Sequence, residues 1–314
     1  MNAPRTLICG SLAFDTIMVF NDRFGRHILP ELTHTISVSF TVADMRREWG
    51  GYAGNIAYNL KAIGGEPVVM ATIGRDGEPY RERLVSLGIA TDGLTLLEDA
   101  YTAQAFIITD LDDNQITAFH PGAMVRSDIN KVGQVRDVTL GIVAPDGRDG
   151  MRQHAADFRA AGVRYVFDPG QGLPLFSGEE LVEMLEGAAV VAVNDYEASV
   201  LCERTGLDEA AIARRVDALV VTRGASGSRI HAHGTTITLP AVAPQALVDP
   251  TGCGDAYRAG LLFGMGAGWD WERTGRLATL MGSVKIGSRG GQNHTVNRET
   301  LASLYSDHFG SSLW

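Results

Sequence analysis

A chain of 314 residues, 45% of them hydrophobic, has enough apolar content to bury a large core, as one α/β domain or as a main domain with an appendage. Its net charge of −10 supplies no basic field for a phosphodiester backbone, which disfavours nucleic acid and points to a small-molecule ligand. Cys9, Cys202 and Cys253 suit neither a disulfide framework nor zinc-ligand spacing, and no secretory leader or run of ~18 uncharged apolar residues is apparent, so a cytoplasmic protein without membrane contact is expected.

Along the chain, short apolar runs bounded by glycine or proline recur: TLICGSLAFD (6–15), PVVMATIG (67–74), VTLGIVAPD (138–146), VRYVFDPG (163–170), AVVAVND (189–195) and ALVVTRG (218–224). Such runs predict buried strands. Helix-length segments lie between many of them. In AGNIAYNLKAIGG (53–65), Ile56, Leu60 and Ile63 share a face before two glycines stop the helix, and 148–162 and 196–206 behave alike. Alternating strand and helix predict an α/β fold with a doubly wound, mostly parallel sheet flanked by helices, which places ligands beyond the carboxyl ends of its strands. We expect one domain over 1–314.

Two segments break the alternation. HTISVSFTVADM (34–45) and AQAFIITDLDDNQITAFHPGA (103–123) are rich in β-branched and aromatic residues, and the second folds back around Asp112, Asp113 and Asn114 like a hairpin. Together, at about 14–48 and 100–123, they predict a small β-sheet beside the main one: a lid over the cleft, or a hairpin that merely extends the sheet.

Four stretches can carry chemistry. In DPTGCGDAYRAG (249–260), a helix begins near Gly252 to Gly254, and the N–H groups of Gly252, Cys253 and Gly254 are exposed at its positive end, where phosphate charge can be held. Asp255 follows, either as a base for a substrate hydroxyl or as a carboxylate that only complements the helix dipole. This is not a Walker loop, which needs Lys and Ser or Thr after its last glycine, nor a dinucleotide fingerprint behind a strand. In EWGGYAGNIAYNL (48–60), Gly50 and Gly51 permit close approach of backbone to a ligand, and Asn55 offers donor and acceptor to vicinal hydroxyls or else caps a helix. Asp15 is a hydroxyl acceptor or a turn residue. In NDYE (194–197), Asn194 and Glu197 form either a capping box or a place for water-held magnesium. TRGASGS (222–228) sets Thr222, Gly224 and Gly227 in a tight turn that carries nucleotide phosphate or simply joins two strands.

In this order the motifs resemble the ribokinase family of carbohydrate and nucleoside kinases, also called the phosphofructokinase B family. GGYAGNIAYNLKAIG with the later Gly74 is similar to the family's first signature, and DPTGCGDAYRAGLL to its second, except at Cys253, where a small Ala, Ser or Gly is usual. NDYE, TRGASGS and SRGGQNH (288–294) resemble its magnesium motif, nucleotide turn and adenine loop. The resemblance implies that Asp255 is the base, with the Gly252–Gly254 turn as its anion hole. It implies that Asp15, Gly51 and Asn55 bind sugar hydroxyls, and that Asn194, Thr222, Gly224, Gly227 and Asn293 bind ATP. It also implies magnesium at Glu197 through water and potassium at Asp249, Thr251 and Ser288. A thiol at the helix N-terminus is expected to have a lowered pKa and to react with thiol reagents.

The signatures do not choose the acceptor. Phe14, Phe40, Phe106 and Phe119, with Gln104 and His120 as polar edges, are expected either to face a nucleobase or to form the core of the lid. Because the lid segment also resembles bacterial adenosine or broad nucleoside kinases, the expected activity is ATP-dependent phosphorylation of a purine nucleoside at its 5′-hydroxyl. A sugar kinase of ribokinase type is the alternative; a catalytically silent binding protein and a dinucleotide-dependent oxidoreductase are the alternatives of other classes. A homodimer through the lid edge is compatible with the sequence.

Overall fold

A computed structural model of the chain describes residues 5–28, 37–112 and 114–314. In chain order its first half runs β1 (Arg5–Cys9), β2 (Ala13–Val19), β3 (Asp44–Gly50), α1 (Tyr52–Ala62), β4 (Glu66–Gly74), α2 (Glu78–Ser86), β5 (Ala90–Leu97), β6 (Ala103–Thr109) and β7 (Gln115–His120). It continues with β8 (Val138–Val143), α3 (Arg148–Ala161), β9 (Arg164–Phe167), α4 (Gly178–Glu186), β10 (Val190–Asn194), α5 (Asp195–Thr205), α6 (Glu209–Ala213) and β11 (Ala218–Thr222). The hairpin β12 (Ser228–Ala232) and β13 (Thr235–Leu239) precedes α7 (Cys253–Gly266), α8 (Trp271–Lys285) and α9 (Arg298–Phe309). Among the described residues no helix is long and apolar enough to cross a membrane.

The strands form a nine-stranded sheet ordered β13-β12-β11-β10-β9-β8-β1-β4-β5 and a four-stranded sheet ordered β3-β2-β6-β7. From β11 to β5 the large sheet is parallel, and β12 and β13 extend one edge antiparallel. Both of its faces are covered, which is why a strand such as VVAVN is apolar up to its final Asn194. Ile8, Ala192 and Val220 pack on one side with Ile56 of α1, Leu262 of α7 and Leu277 of α8. Leu7, Val191 and Val193 pack on the other with Phe158 of α3, Leu185 of α4 and Leu201 of α5. The chain leaves β1 for β4 and β5 on one side and later fills β8 to β11 on the other. The strand order therefore reverses between β1 and β8, and a crevice opens beyond their carboxyl ends.

The run 6–15, expected as one strand, is divided between the sheets. It leaves the large sheet after Cys9 and enters the small one at Ala13. Gly10 marks the exit: a Cβ there would lie 3.2 Å from both the Ala144 side chain and the Ala53 backbone. The expected strand at 34–45 is displaced as well. Its first residues, 34–36, lie outside the described residues, 37–43 are largely irregular, and the strand occupies Asp44–Gly50. Phe40 instead joins an aromatic cluster, with ring centroids 4.9 Å from Phe20 and 5.0 Å from Phe24. The hairpin at 103–123 forms as expected from β6 and β7. Its turn is organised by Asp110, whose Oδ1 accepts the N–H groups of Asp112 and Asn114 at 3.0 and 2.9 Å; Asp113 lies outside the described residues.

Candidate active site

The N-terminus of α7 opens into the crevice. Gly252 caps it at φ 80°, in the left-handed region that suits glycine, and its Cα face packs so closely on Gly291 that a Cβ would lie 3.1 Å from the Gly291 Cα. The Cys253 N–H donates to the Pro250 carbonyl at 3.1 Å, leaving the N–H groups of Gly252 and Gly254 without a protein partner among the described residues. Asp255 stands in the first turn of the helix, 7% exposed. Its carboxylate does not cap the helix. Instead, Asn55 Nδ2 donates to Asp255 Oδ2 at 2.8 Å. Burial pushes the Asp255 carboxyl up to about 7; the Asn55 hydrogen bond opposes this and the nearby Asp168 charge adds to it.

Asn55 is therefore not a helix cap. Its Oδ1 accepts from Gln292 Nε2 at 3.1 Å, and that amide also donates to the Tyr80 hydroxyl at 2.7 Å, which in turn donates to the Gly50 carbonyl at 2.7 Å. The chain of contacts ties α1, α2, β3 and the loop after α8 around the carboxylate. The glycines at 50 and 51 make room for protein rather than ligand. A Cβ at Gly50 would fall on the Asp15 carboxylate, and one at Gly51, where φ is 85°, would lie 2.5 Å from the Ser11 carbonyl oxygen and 2.6 Å from the Ala13 nitrogen.

Asp15 lies inside β2, so it is not a turn residue. Burial, Glu48 and Asp249, in that order, push its carboxyl up to about 6. Across the lid, Asp15 is level with Glu48, Ala105 and Phe119. Gln104, Phe106 and His120 are level with Phe14 and Thr16 and so occupy the opposite face, because side chains alternate along a strand. The fold thus does not bring these three predicted acceptor residues together with Asp15. Gln104 Nε2 instead donates to Asp76 Oδ2 at 2.9 Å. Phe14 is core, its ring centroid 5.5 Å from Trp49 and 5.6 Å from Tyr80.

On the other side of α7, Asn194 and Thr222 are register partners at the carboxyl ends of β10 and β11. Asn194 and Glu197 form a reciprocal capping box: the Asn194 side chain accepts from the Glu197 N–H, and Glu197 Oε2 accepts from the Asn194 N–H, both at 2.8 Å. Gly224 and Gly227 take φ of 52° and 80° in the turn joining β11 to β12. Asn293, expected with the nucleotide, reaches the acceptor side, where its Nδ2 donates to Glu48 Oε2 at 2.7 Å.

The profile of the pfkB family carbohydrate kinase matches residues 18–298. The chain belongs to this family. Among solved structures it is similar to the nucleoside kinase of Burkholderia thailandensis in complex with inosine, at 49% identity and a TM-score of 0.89 over 98% of this chain and 99% of that one. The same protein in complex with ADP-inosine matches at 50% identity and a TM-score of 0.87, covering 98% and 97%. A curated relative, the nucleoside kinase of Methanocaldococcus jannaschii, is 31% identical over 275 residues, covering 87% of this chain and 90% of its own length.

Several residues of this pfkB kinase's site escape sequence reasoning. Arg258, one turn after Asp255, is 4% exposed and forms a two-pronged pair with Asp168. Its Nε and Nη2 reach the carboxylate oxygens at 3.0 and 3.2 Å, and Nη2 also donates to the Ala192 carbonyl at 3.1 Å. The same guanidinium lies 3.9 Å from Glu197, so it joins the α7 turn to the start of α5. The signal available was an arginine inside an otherwise apolar helix and an aspartate ending the strand run VRYVFDPG. The expectation of a lowered Cys253 pKa is corrected: burial outweighs the nearby Lys285 charge and pushes the thiol up to about 11.

Of the expected potassium ligands, Asp249 and Ser288 already have protein donors. Asp249 Oδ1 accepts from the Thr251 N–H and Oδ2 from the Gly290 N–H, both at 2.8 Å. Burial acts to raise the Asp249 carboxyl, but these hydrogen bonds prevail and hold it below the usual range. The carbonyl oxygens of Asp249 and Ser288 accept from Lys285 Nζ at 2.7 and 3.1 Å.

Proposed function

We propose that this kinase transfers the γ-phosphoryl group of ATP to the 5′-hydroxyl of a purine nucleoside, with Asp255 as the base. The observation that carries the reading is a buried carboxylate, held by Asn55, at the mouth of a helix where the Gly252 and Gly254 N–H groups are free to receive an anion. Two such features side by side serve phosphoryl transfer: Asp255 takes the hydroxyl proton as that oxygen bonds to the γ-phosphorus, while the bond to the β–γ bridging oxygen breaks and ADP leaves. A carboxyl near 7 is matched to proton transfer at neutral pH. The Gly252 and Gly254 N–H groups and the dipole of the 14-residue α7 hold the charge on the transferring group.

Asp15, half-buried in the lid and level with Phe119, accepts from the ribose hydroxyls, and Phe119 supplies an aromatic surface on the same face of the lid as Asp15. The complexes of the Burkholderia thailandensis nucleoside kinase with inosine and with ADP-inosine support a nucleoside acceptor. Asn194, Thr222, Gly224 and Gly227 face the nucleotide from the ends of β10 and β11.

Among the described residues there is no cluster of three or more carboxylate, histidine or cysteine side chains able to cage a metal. The donor set fits an ion that arrives hydrated with its nucleotide: Glu197 Oε2 is occupied by the Asn194 N–H, leaving its other oxygen for a metal-bound water. Magnesium bound there supplies neutralisation of the phosphate charge. The free edge of the lid, β7, is exposed at every residue and supports pairing of two copies edge to edge.

The test is ADP release with magnesium-ATP across adenosine, inosine, guanosine, cytidine, ribose and fructose 6-phosphate. Turnover of the purine nucleosides with 5′-monophosphate as product is expected. Turnover of free sugars alone would replace the reading with a sugar kinase, and turnover of none with a silent binding protein.

A further inference from the structure

We infer that Lys285 supplies from within the chain the positive charge that a monovalent cation would supply, so that this kinase works without potassium. The resemblance implies a potassium ion between residues 249–251 and the loop at 288–291, and the residues there do not fit one. Lys285 is the last residue of α8 and is 0% exposed. Lysine is almost never so buried unless its ammonium is partnered. Here Nζ donates to Asp249 O at 2.7 Å and to Ser288 O at 3.1 Å, one carbonyl from each of the two segments.

The surrounding bonds show what the ammonium holds in place. The N–H groups of Val248 and Asp249 donate to the Ile286 carbonyl at 3.0 and 3.1 Å, and the Asp249 carboxylate spans to the Gly290 N–H. Gly252 lies directly against this assembly: a Cβ there would be 3.7 Å from the Lys285 Cε as well as close to Gly291. The position of the Gly252–Gly254 turn therefore depends on the seam between the two segments. A cation that gathers carbonyl oxygens across such a seam fixes the anion-binding turn beside it, and a tethered ammonium with three donors does so without being drawn from solution. A second monovalent ion on the same two carbonyl oxygens would compete with Nζ for them, and like charges drawn to shared ligands repel. Lys285 is thus a positioning residue, acting through the backbone of the turn.

The inference rests on phosphoryl transfer and not on the choice of acceptor. Initial rates are measured in buffers whose only monovalent cation is tetramethylammonium, then with sodium or potassium added. Turnover in any of them establishes the kinase, and its response to salt decides the role of Lys285. The native enzyme is expected to change less than twofold between them. Lys285→Met is expected to lose at least tenfold in tetramethylammonium and to regain much of it with potassium, ammonium or methylammonium, a rescue that a lysine needed only for packing would not show. Activation of the native enzyme fivefold or more by potassium overturns the inference, and does so even if the variant fails to fold. A folded Lys285→Met that keeps its full rate without these ions, or that none of them restores, overturns it equally.

Discussion

Asn55 and Asp255, 200 positions apart in the chain, meet at 2.8 Å in the crevice, amide nitrogen to carboxylate oxygen. The contact joins the two signature segments and governs when the base is charged. Burial holds the Asp255 carboxyl at about 7, and the Asn55 donor keeps it from rising further. Because the base works only when ionised, kcat should rise with pH through about 7 and level off above. Removing the donor in Asn55→Ala favours the neutral acid and should move the midpoint upward. A pH–rate profile flat from 5.5 to 8.5, or a midpoint that falls in Asn55→Ala, would contradict this.

Gly50 leaves the space that the Asp15 carboxylate fills. Gly50→Ala should displace that carboxylate, raising KM for the acceptor at least tenfold while KM for ATP stays within about twofold. Steady-state kinetics with each substrate varied would check it. Equal increases in both constants would mean that the substitution disturbs the fold and not the acceptor site.

Arg258 and Asp168 form a buried pair whose members depend on each other. Burial raises the Asp168 carboxyl despite the neighbouring guanidinium, so loss of Arg258 leaves a carboxylate with no compensating charge. Arg258→Met should cost about 3–5 kcal/mol in urea unfolding, and the double variant with Asp168→Leu should recover a large part of it. A double variant as unstable as the sum of its single changes would show that the two residues act independently.

Cys253 sits at a helix N-terminus, yet burial pushes its thiol up to about 11. Since the thiolate is the reactive form, labelling at pH 7.5 should be slower than for a free cysteine in an unstructured peptide, and should accelerate as pH rises toward 11. Site-resolved mass spectrometry after iodoacetamide treatment reads this directly. A rate at pH 7.5 equal to that of the peptide would mean that the helix end dominates over burial.

β1, β4, β8, β9, β10 and β11 of the large sheet are legible in the sequence as short apolar runs bounded by glycine, proline or a polar residue, whereas β5, β12 and β13 form outside those runs. The anion-binding turn is legible for the same local reason: glycines, an aspartate and an apolar face lie within one helix start. Relationships set by register are not. Gln104, Phe106 and His120 alternate correctly within their own strands, but whether they share a face with Asp15 depends on the pairing of β2 with β6, which places Gln104 beside Phe14 and Ala105 beside Asp15. Nor does any local pattern foretell that Arg258 meets Asp168, 90 positions away, or that Lys285 turns inward to the Asp249 carbonyl. Each residue is unremarkable until the fold removes it from water, and its partner is then dictated by charge.

The central claim is that Asp255 removes the proton from the acceptor hydroxyl. Asp255→Asn retains the size of the side chain and an oxygen able to accept from Asn55, so the site should keep its shape. In single-turnover measurements with magnesium-ATP and inosine, kcat should fall by about 10²–10⁴, with ATP affinity by calorimetry within about twofold of the native value. A variant turning over within tenfold of the native rate would contradict the assignment of Asp255 as the base.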